Sequence, residues 1–299
     1  MTPVSQTAPS PADNLRGIGA MIAAQLFFTL NDTCTKLVAE HLPASQIMAV
    51  RGVMAVGLVF GIAWVNGGLR ELHILGRPLV LLRSAVDAVI AFGFITALPH
   101  LPLADITVIL QATPLVLTAM SATILRETVG WRRWAAVLAG FAGVVIVVQP
   151  TGAGGLSLWA LIAVGVSVLI AVRDLLTRAL GPGVPSFTAT IGSTVAVAIL
   201  GLAGGITDVW DQPALWEVGL LALAAILVTL ATQTVIVAFR NVEVSAVSPF
   251  CYAAIVWATI MGWLVWGQTL EPVSWAGAAL IVGSGLYTFH REALRRRPR

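Results

Sequence analysis

Apolar residues run along this chain in long stretches, and the breaks between them fall at residues that end a helix cheaply. Pro43, Gly67-Gly68, Pro102, Gly130, the stretch from Pro150 to Gly155, Gly181-Pro182-Gly183, Pro213 and Pro272 divide the sequence into ten apolar pieces. Each is close to the roughly 20 residues that cross about 30 Å of hydrocarbon. The pieces fall near residues 15–40, 45–66, 78–98, 103–125, 131–149, 157–180, 184–206, 214–239, 244–266 and 273–290. The pattern predicts an all-α integral membrane protein with ten transmembrane helices.

The chain also repeats itself. Residues 103–143 return, much altered, as 244–284: the pairs Ala112/Ala253, Thr118/Thr259, Met120/Met261, Thr128/Thr269, Trp134/Trp275 and Ala135/Ala276 are identical at a shift of 141. Both copies follow one grammar, a long apolar helix with a polar stripe, a short break, a tryptophan, then an Ala/Gly-rich apolar helix. Asp32, Thr35 and Lys36 fall on Asp174, Thr177 and Arg178 at a shift of 142, and Ala97 falls on Ala238 at 141. A half made of five spans ends on the opposite side of the membrane, so its duplicate enters upside down. Two inverted-topology five-helix repeats around a central polar cavity are the predicted architecture. The expected units are a disordered tail at 1–14, a first repeat at 15–150, a connecting loop at 151–156, a second repeat at 157–290 and a basic tail at 291–299.

Composition fixes the setting. With 58% hydrophobic and 10% charged residues, the chain is far from the roughly 25% charge of a soluble domain. A net charge of +3 is too small to imply nucleic acid. Cys34 and Cys251 both lie in apolar stretches, without disulfide or metal-ligand spacing. The position of the charge is more informative than its sum. With the N-terminus inside, Arg70, Arg77, Arg126, Arg132, Arg133, Arg178 and Arg240 fall in inner loops, and the arginines from Arg291 onward fall in the tail. Both termini are therefore predicted cytoplasmic, in a cell inner membrane.

Polar residues inside spans are costly, about 2.5 to 3.5 kcal/mol for an ionised group at a helix centre on insertion scales. Helical spacing sorts them into stripes: Gln25, Thr29, Asp32 and Lys36 in span one, Arg83 and Asp87 in span three, and Thr107, Gln111, Pro114, Thr118 and Ser121 in span four. Ser167, Asp174 and Arg178 stripe span six, Thr229, Thr232, Gln233 and Arg240 span eight, and Ser245, Ser248, Tyr252 and Thr259 span nine. Gln25, Asp32, Asp87, Gln111, Gln233 and Tyr252 are the candidate substrate contacts. Asp32, Lys36, Arg51, Arg83, Asp87 and Asp174 are candidate ion pairs or coupling sites, with Asp32 to Lys36 and Arg83 to Asp87 at within-helix pairing distance. Structural pairing and a solute or proton role stand level for these ions. Arg51 and Lys36 are candidates for snorkelling toward an interface. Single Ser and Thr residues more often bond their own helix than a ligand. Spans five and ten lack a stripe and read as peripheral packing helices with small-xxx-small spacing at Ala136/Gly140 and Ala139/Gly143.

A family resemblance rests on Asp32 with Lys36, the run from Gln46-Ile47 to Arg51, Arg83, Leu101-Pro102-Leu103-Ala104-Asp105, Pro114, Arg126-Glu127, Gly130-Trp131-Arg132-Arg133-Trp134 and Pro150. The second half adds Pro249-Phe250 with Tyr252, and the run from Gly277 to Tyr287. The chain resembles the EamA type of the drug/metabolite transporter superfamily along nearly its whole length. Gln268 stands where the second half usually has a glutamate matching Glu127, and Cys251 where a polar residue is frequent. The resemblance implies secondary transport of small organic solutes by alternating access, without a cofactor or metal. Members export amino acids, aromatic ones included, and others take up riboflavin or S-adenosylmethionine. Export of amino acids and related metabolites is the favoured expectation, with uptake of a vitamin or nucleoside-like metabolite as the alternative. The partners expected are the solute, the bilayer and a proton as coupling ion; the oligomeric state is left open. A membrane enzyme is disfavoured because there is no HExxH or Gly-x-Ser-x-Gly and no His inside a span. A purely structural protein would leave the polar stripes unexplained.

Overall fold

In the computed structural model, residues 11–65, 68–124, 130–148, 157–180, 186–240 and 242–296 are described. Glu127, Pro150, the 151–156 loop and Gly181-Pro182-Gly183 lie outside them. The described residues form helices only: α1 (Pro11–Ala39), α2 (Ala44–Val65), α3 (Pro78–Ala97), α4 (Leu103–Leu110), α5 (Thr113–Thr123), α6 (Trp131–Val148), α7 (Leu158–Leu180), α8 (Ser186–Gly204), α9 (Leu215–Ala238), α10 (Val244–Val247), α11 (Ala253–Trp266) and α12 (Pro272–Arg296), with 3-10 turns at Gly68–Gly76, Leu98–His100 and Ser248–Tyr252.

The predicted breaks are where the helices end, for identifiable reasons. Proline opens α3 and α12, where its missing N–H costs nothing. The α9 start is held by Glu217, whose carboxylate accepts the Ala214 N–H at 2.7 Å. Gly267 closes α11 in the left-handed region, φ 65°, and Gln268 N–H bonds the Gly262 carbonyl at 3.0 Å, the wrap-around bond of a glycine-terminated helix. Two boundaries differ from expectation. Helix α1 begins at Pro11, inside the stretch expected to be a tail, with Asp13 favourably placed in its first turn. Helix α12 runs on to Arg296, through most of the expected basic tail.

Among the described residues, seven helical segments are long and apolar enough to cross a membrane: Ala44–Trp64, Pro78–His100, Leu103–Thr123, Trp131–Val148, Leu158–Leu180, Leu215–Ala238 and Ser248–Trp266. Thr188–Gly204 is a shorter apolar helix. The protein is an integral membrane protein. In such a setting lipid competes with protein for apolar surface, so close packing and internal hydrogen bonds hold the bundle.

The fourth and ninth apolar pieces are each broken. Pro114 cannot donate to the Leu110 carbonyl, and α4 ends at Leu110 before α5 resumes at Thr113. Pro249 does the same in the second half, where the Ser248–Tyr252 3-10 turn separates α10 from α11. Around these breaks α1 packs along α9, α2 along α8, α3 on α7 and α8, α2 on α9, α1 on α11, and α4 and α5 on α7. The two helices expected at the periphery pack on one another, α6 along α12. They approach so closely that a Cβ on Gly143 would lie 2.7 Å from the Gly277 carbonyl oxygen. Among the described residues, the largest buried cluster includes Leu103, Ile106, Ile109, Ile255, Ala258 and Ile281, next to the breaks.

Candidate functional site

The two breaks meet. Gln111, the residue that ends α4, donates from Nε2 to the Cys251 carbonyl at 2.8 Å. A carbonyl freed by a 3-10 turn thus finds a side-chain donor from the other broken helix. Thr113 Oγ1 donates to the Leu110 carbonyl at 2.6 Å, satisfying the group that Pro114 orphans, and lies 3.2 Å from Ser167 Oγ on α7. On the opposite flank Trp257 Nε1 donates to the Ile22 carbonyl of α1 at 3.2 Å. Each broken helix is therefore pinned to the first helix of the other half.

In the first half of α3, Arg83 and Asp87 form the expected pair, Nη1 to Oδ2 at 3.1 Å, with side chains 14% and 13% exposed. The pair belongs to a larger network. Arg173 on α7 reaches Asp87 Oδ1 at 3.3 Å and Asp174 Oδ1 at 2.8 Å. Ser193 on α8 donates to Asp87 and accepts from Arg83 at 2.7 Å, while Arg83 Nε donates to Thr177 Oγ1 at 2.8 Å. Two arginines and two aspartates give formal neutrality, which makes burial tolerable.

Toward the other end of the bundle, Arg51 on α2 donates to Asn31 Oδ1 at 3.1 Å and Thr35 Oγ1 at 3.2 Å, and Asn31 Nδ2 donates to Asp32 Oδ1 at 2.9 Å. Arg51 does not snorkel; an aligned polar edge on α1 satisfies it inside the bundle. Lys36 does not pair with Asp32, nor does its ammonium reach solvent. It is 1% exposed, donates to the Leu98 carbonyl at 2.7 Å and to that of Leu101, and lies 5.3 Å from the Trp266 ring centroid. The carbonyls that end α3, at the negative end of its dipole, outcompete the carboxylate one turn away.

The remaining predicted contacts scatter. Gln25 donates to Met21 Sδ at 3.3 Å within α1, and Gln233 is half-buried on α9. Tyr252 is turned from its predicted stripe: its hydroxyl packs against α12, where a Cβ on Gly285 would lie 1.6 Å away. An apolar groove of about 540 Å³ between α1, α11 and α12 is lined by Pro249, Phe250, Tyr252, Trp257, Trp275 and Val282, among others. Another of about 410 Å³ lies between α6 and α12. Neither touches Gln25, Asp32, Asp87, Gln111 or Gln233.

Asn31 and Ser193 emerged only in the structure; Arg173 is among the charged residues inside spans, and the structure adds its place between two aspartates. A signal existed for each: at the shift of 142, Asn31 falls on Arg173 and Arg51 on Ser193. Asp105 likewise finds the Ser274 side chain of α12.

Span-length helices, two of them broken at positions that meet, define a polytopic membrane protein. The chain belongs to the EamA-like transporter family, whose pattern matches it twice, at residues 15–149 and 157–289. It is 27% identical to the riboflavin transporter of Vibrio cholerae, over 95% of this chain and 96% of that one. It is 24% identical to the pseudopaline exporter CntI of Pseudomonas aeruginosa, over 89% and 93%, and 23% to the S-adenosylmethionine uptake transporter of Rickettsia bellii, over 92% and 94%. A solved crystal structure 21% identical in sequence shares the fold, with a TM-score of 0.64 over 96% of this chain and 99% of that one.

Proposed function

We propose that this protein is a secondary transporter that moves small zwitterionic metabolites, amino acids and their relatives, out of the cell by alternating access. Ten spans form two inverted five-helix halves, with both termini cytoplasmic in the inner membrane. The observation that carries this reading is the Gln111 to Cys251 bond between two broken helices. Broken helices expose backbone groups able to bind solute and bend with little loss of hydrogen bonding. The packing pattern supports the inverted halves. Exchange the nth helical piece of one half for the nth of the other, and α1 on α9 becomes α7 on α3, while α1 on α11 becomes α7 on α4 and α5; both partners of each exchange occur. The double family match at 15–149 and 157–289 agrees with it. Mixed-sign charge at Arg83, Asp87, Arg173 and Asp174 suits an ammonium-carboxylate solute, and a proton on an aspartate is the coupling ion we favour. Uptake of a vitamin or nucleoside-like metabolite is the second reading, favoured by the names of the riboflavin and S-adenosylmethionine relatives.

The test is flux through purified protein in liposomes, under imposed pH gradients, with a panel of amino acids, riboflavin and S-adenosylmethionine. Amino-acid flux that is lost in Asp87→Asn and Gln111→Leu supports the first reading. Flux of riboflavin or S-adenosylmethionine alone supports the second. If no panel solute moves and neither variant changes any activity, both fail.

A further inference from the structure

One end of the bundle is fastened by a layer of side-chain hydrogen bonds. At the end holding the 40–43, 98–102 and 267–271 turns, Gln46 Nε2 donates to the Asp211 carbonyl at 2.6 Å, Trp210 Nε1 to Ser45 Oγ at 3.1 Å, and Trp266 Nε1 to Glu40 Oε1 at 2.7 Å. Lys36 lies beneath this layer, fastened to the carbonyls of Leu98 and Leu101. Leu98 ends α3 and is 0% exposed.

The repeat supplies a counterpart for every part of that fastening. Lys36 corresponds to Arg178 at a shift of 142; Leu98 and Leu101 correspond to Phe239 and Val242 at 141. Phe239 ends α9 just as Leu98 ends α3. Yet among the described residues this second fastening is not made. Phe239 is 38% exposed, and Arg178, itself exposed, reaches toward Ser121 Oγ on α5 at 3.5 Å. Helix α1 packs on α3 and on the Leu98–His100 turn, whereas no comparable packing joins α7 to α9 among the described residues.

We propose that Lys36 and Arg178 are the two gate residues of the transport cycle, each closing its own end of the bundle by docking onto the carbonyls that terminate the third helix of its half, and doing so in alternate conformations. This rests on the alternating-access reading above. The chemistry is the same at both ends: a cation meets the negative end of a helix dipole and satisfies carbonyls that have no intrahelical partner. In the conformation observed, Lys36 is docked and Arg178 is not. In the other, the guanidinium of Arg178 holds the Phe239 and Val242 carbonyls while Lys36 lets go. The two latches are unequal. Trp266, which adds a ring face to the Lys36 ammonium, corresponds in sequence to Leu125 in the first half, so the position that supplies the ring to Lys36 is aliphatic in the repeat.

Backbone hydrogen exchange of the full chain in lipid nanodiscs tests this, because exchange reports local opening at each turn separately. In Lys36→Met, which keeps the apolar stem, exchange at 98–101 should quicken about tenfold, the effect of one lost charge-assisted bond, and exchange at 239–242 should slow as Arg178 docks. Lys36→Arg should restore the original pattern. In the double variant Lys36→Met/Arg178→Met, the turn at 98–101 should open without any slowing at 239–242. A Lys36 that is only structural predicts quickening at 98–101 and no response 141 residues away. An unchanged 239–242 turn in Lys36→Met, or equal slowing with and without Arg178, overturns the proposal. Flux measured on the same variants keeps the two readings apart. A protein that moves no solute but shows the reciprocal exchange loses the transport assignment and keeps the latch. A protein that moves solute without the reciprocal exchange loses the latch alone.

Discussion

Gln111 and Cys251, 140 residues apart in sequence, are joined by one hydrogen bond of 2.8 Å that links the break in one helix to the break in another. Prolines create both breaks by removing backbone donors, and a helix so interrupted in a membrane must find other partners for the freed carbonyls. Here the partner is a side-chain amide from the facing break. The two bends are thereby coupled, since moving α4 relative to α5 moves the donor that α11's preceding turn depends on.

Gln111→Leu keeps the volume and removes the donor. The Cys251 carbonyl is left buried without its side-chain partner, at a cost of about 1 to 3 kcal/mol. Thermal unfolding in detergent should show a lower midpoint, and liposome flux should fall at least about tenfold if the junction is part of the moving machinery. Normal flux alongside a lowered midpoint would reduce the junction to a structural bond.

In the network around Asp87, four formal charges cancel. Asp87→Asn leaves Arg83 and Arg173 without the carboxylate that sits between them, and breaking a buried pair from one side costs about 3 to 5 kcal/mol. Adding Arg83→Gln should recover most of that stability, because the surviving Arg173 still has Asp174. Stability and flux should then part company: the double variant folds like the parent and moves no solute. A double variant that transports normally would make the network a structural device only.

Much of this was legible before the structure. Prolines and glycines placed most helix ends within a few residues, because their backbone limits act locally, and Arg83 with Asp87 followed from spacing on one helix. Contacts between helices were not legible. Arg51 has no partner on its own helix, and its partner Asn31 lies beside the predicted stripe of α1 rather than on it. Lys36 shows the opposite failure: spacing offered Asp32 one turn away, while carbonyls 62 and 65 residues further on hold it instead. Tyr252 was misdirected by the break itself. A 3-10 turn advances about 20° more per residue than an α-helix, so five residues from Ser248 to Tyr252 rotate the stripe away from where continuous α-helix would place it.

That rotation is itself testable at Gly285. A Cβ there would meet Tyr252 Oη at 1.6 Å and Cζ at 2.7 Å, so Gly285→Ala forces the ring to move and should cost about 1 to 3 kcal/mol through overpacking. In a Tyr252→Leu background, where the phenol is gone, the same substitution should cost far less. The double-mutant cycle measures this coupling by thermal unfolding, and additive effects would mean that the ring does not rest on Gly285.

Helices α6 and α12 meet through glycines instead of through polar groups, and this separates their role from that of the broken helices. A Cβ on Gly277 would lie 2.6 Å from Val147 Cγ2 and 2.7 Å from the Gly143 carbonyl oxygen. Neither neighbour can yield without separating the helices, since one is backbone and the other a stiff β-branched side chain. Close approach of this kind is what holds helices together where lipid removes the hydrophobic drive. Gly277→Val should therefore lower the thermal midpoint and the yield of folded protein more than any single change at the Gln111 junction. The molecules that do fold should keep their turnover, because α6 and α12 carry no residue of either charge network. Flux per folded protein, counted by monodisperse size-exclusion area, is the measurement. A fall in that specific rate as steep as the one expected for Gln111→Leu would place the α6–α12 seam in the moving part of the transporter and end the assignment of these helices to packing.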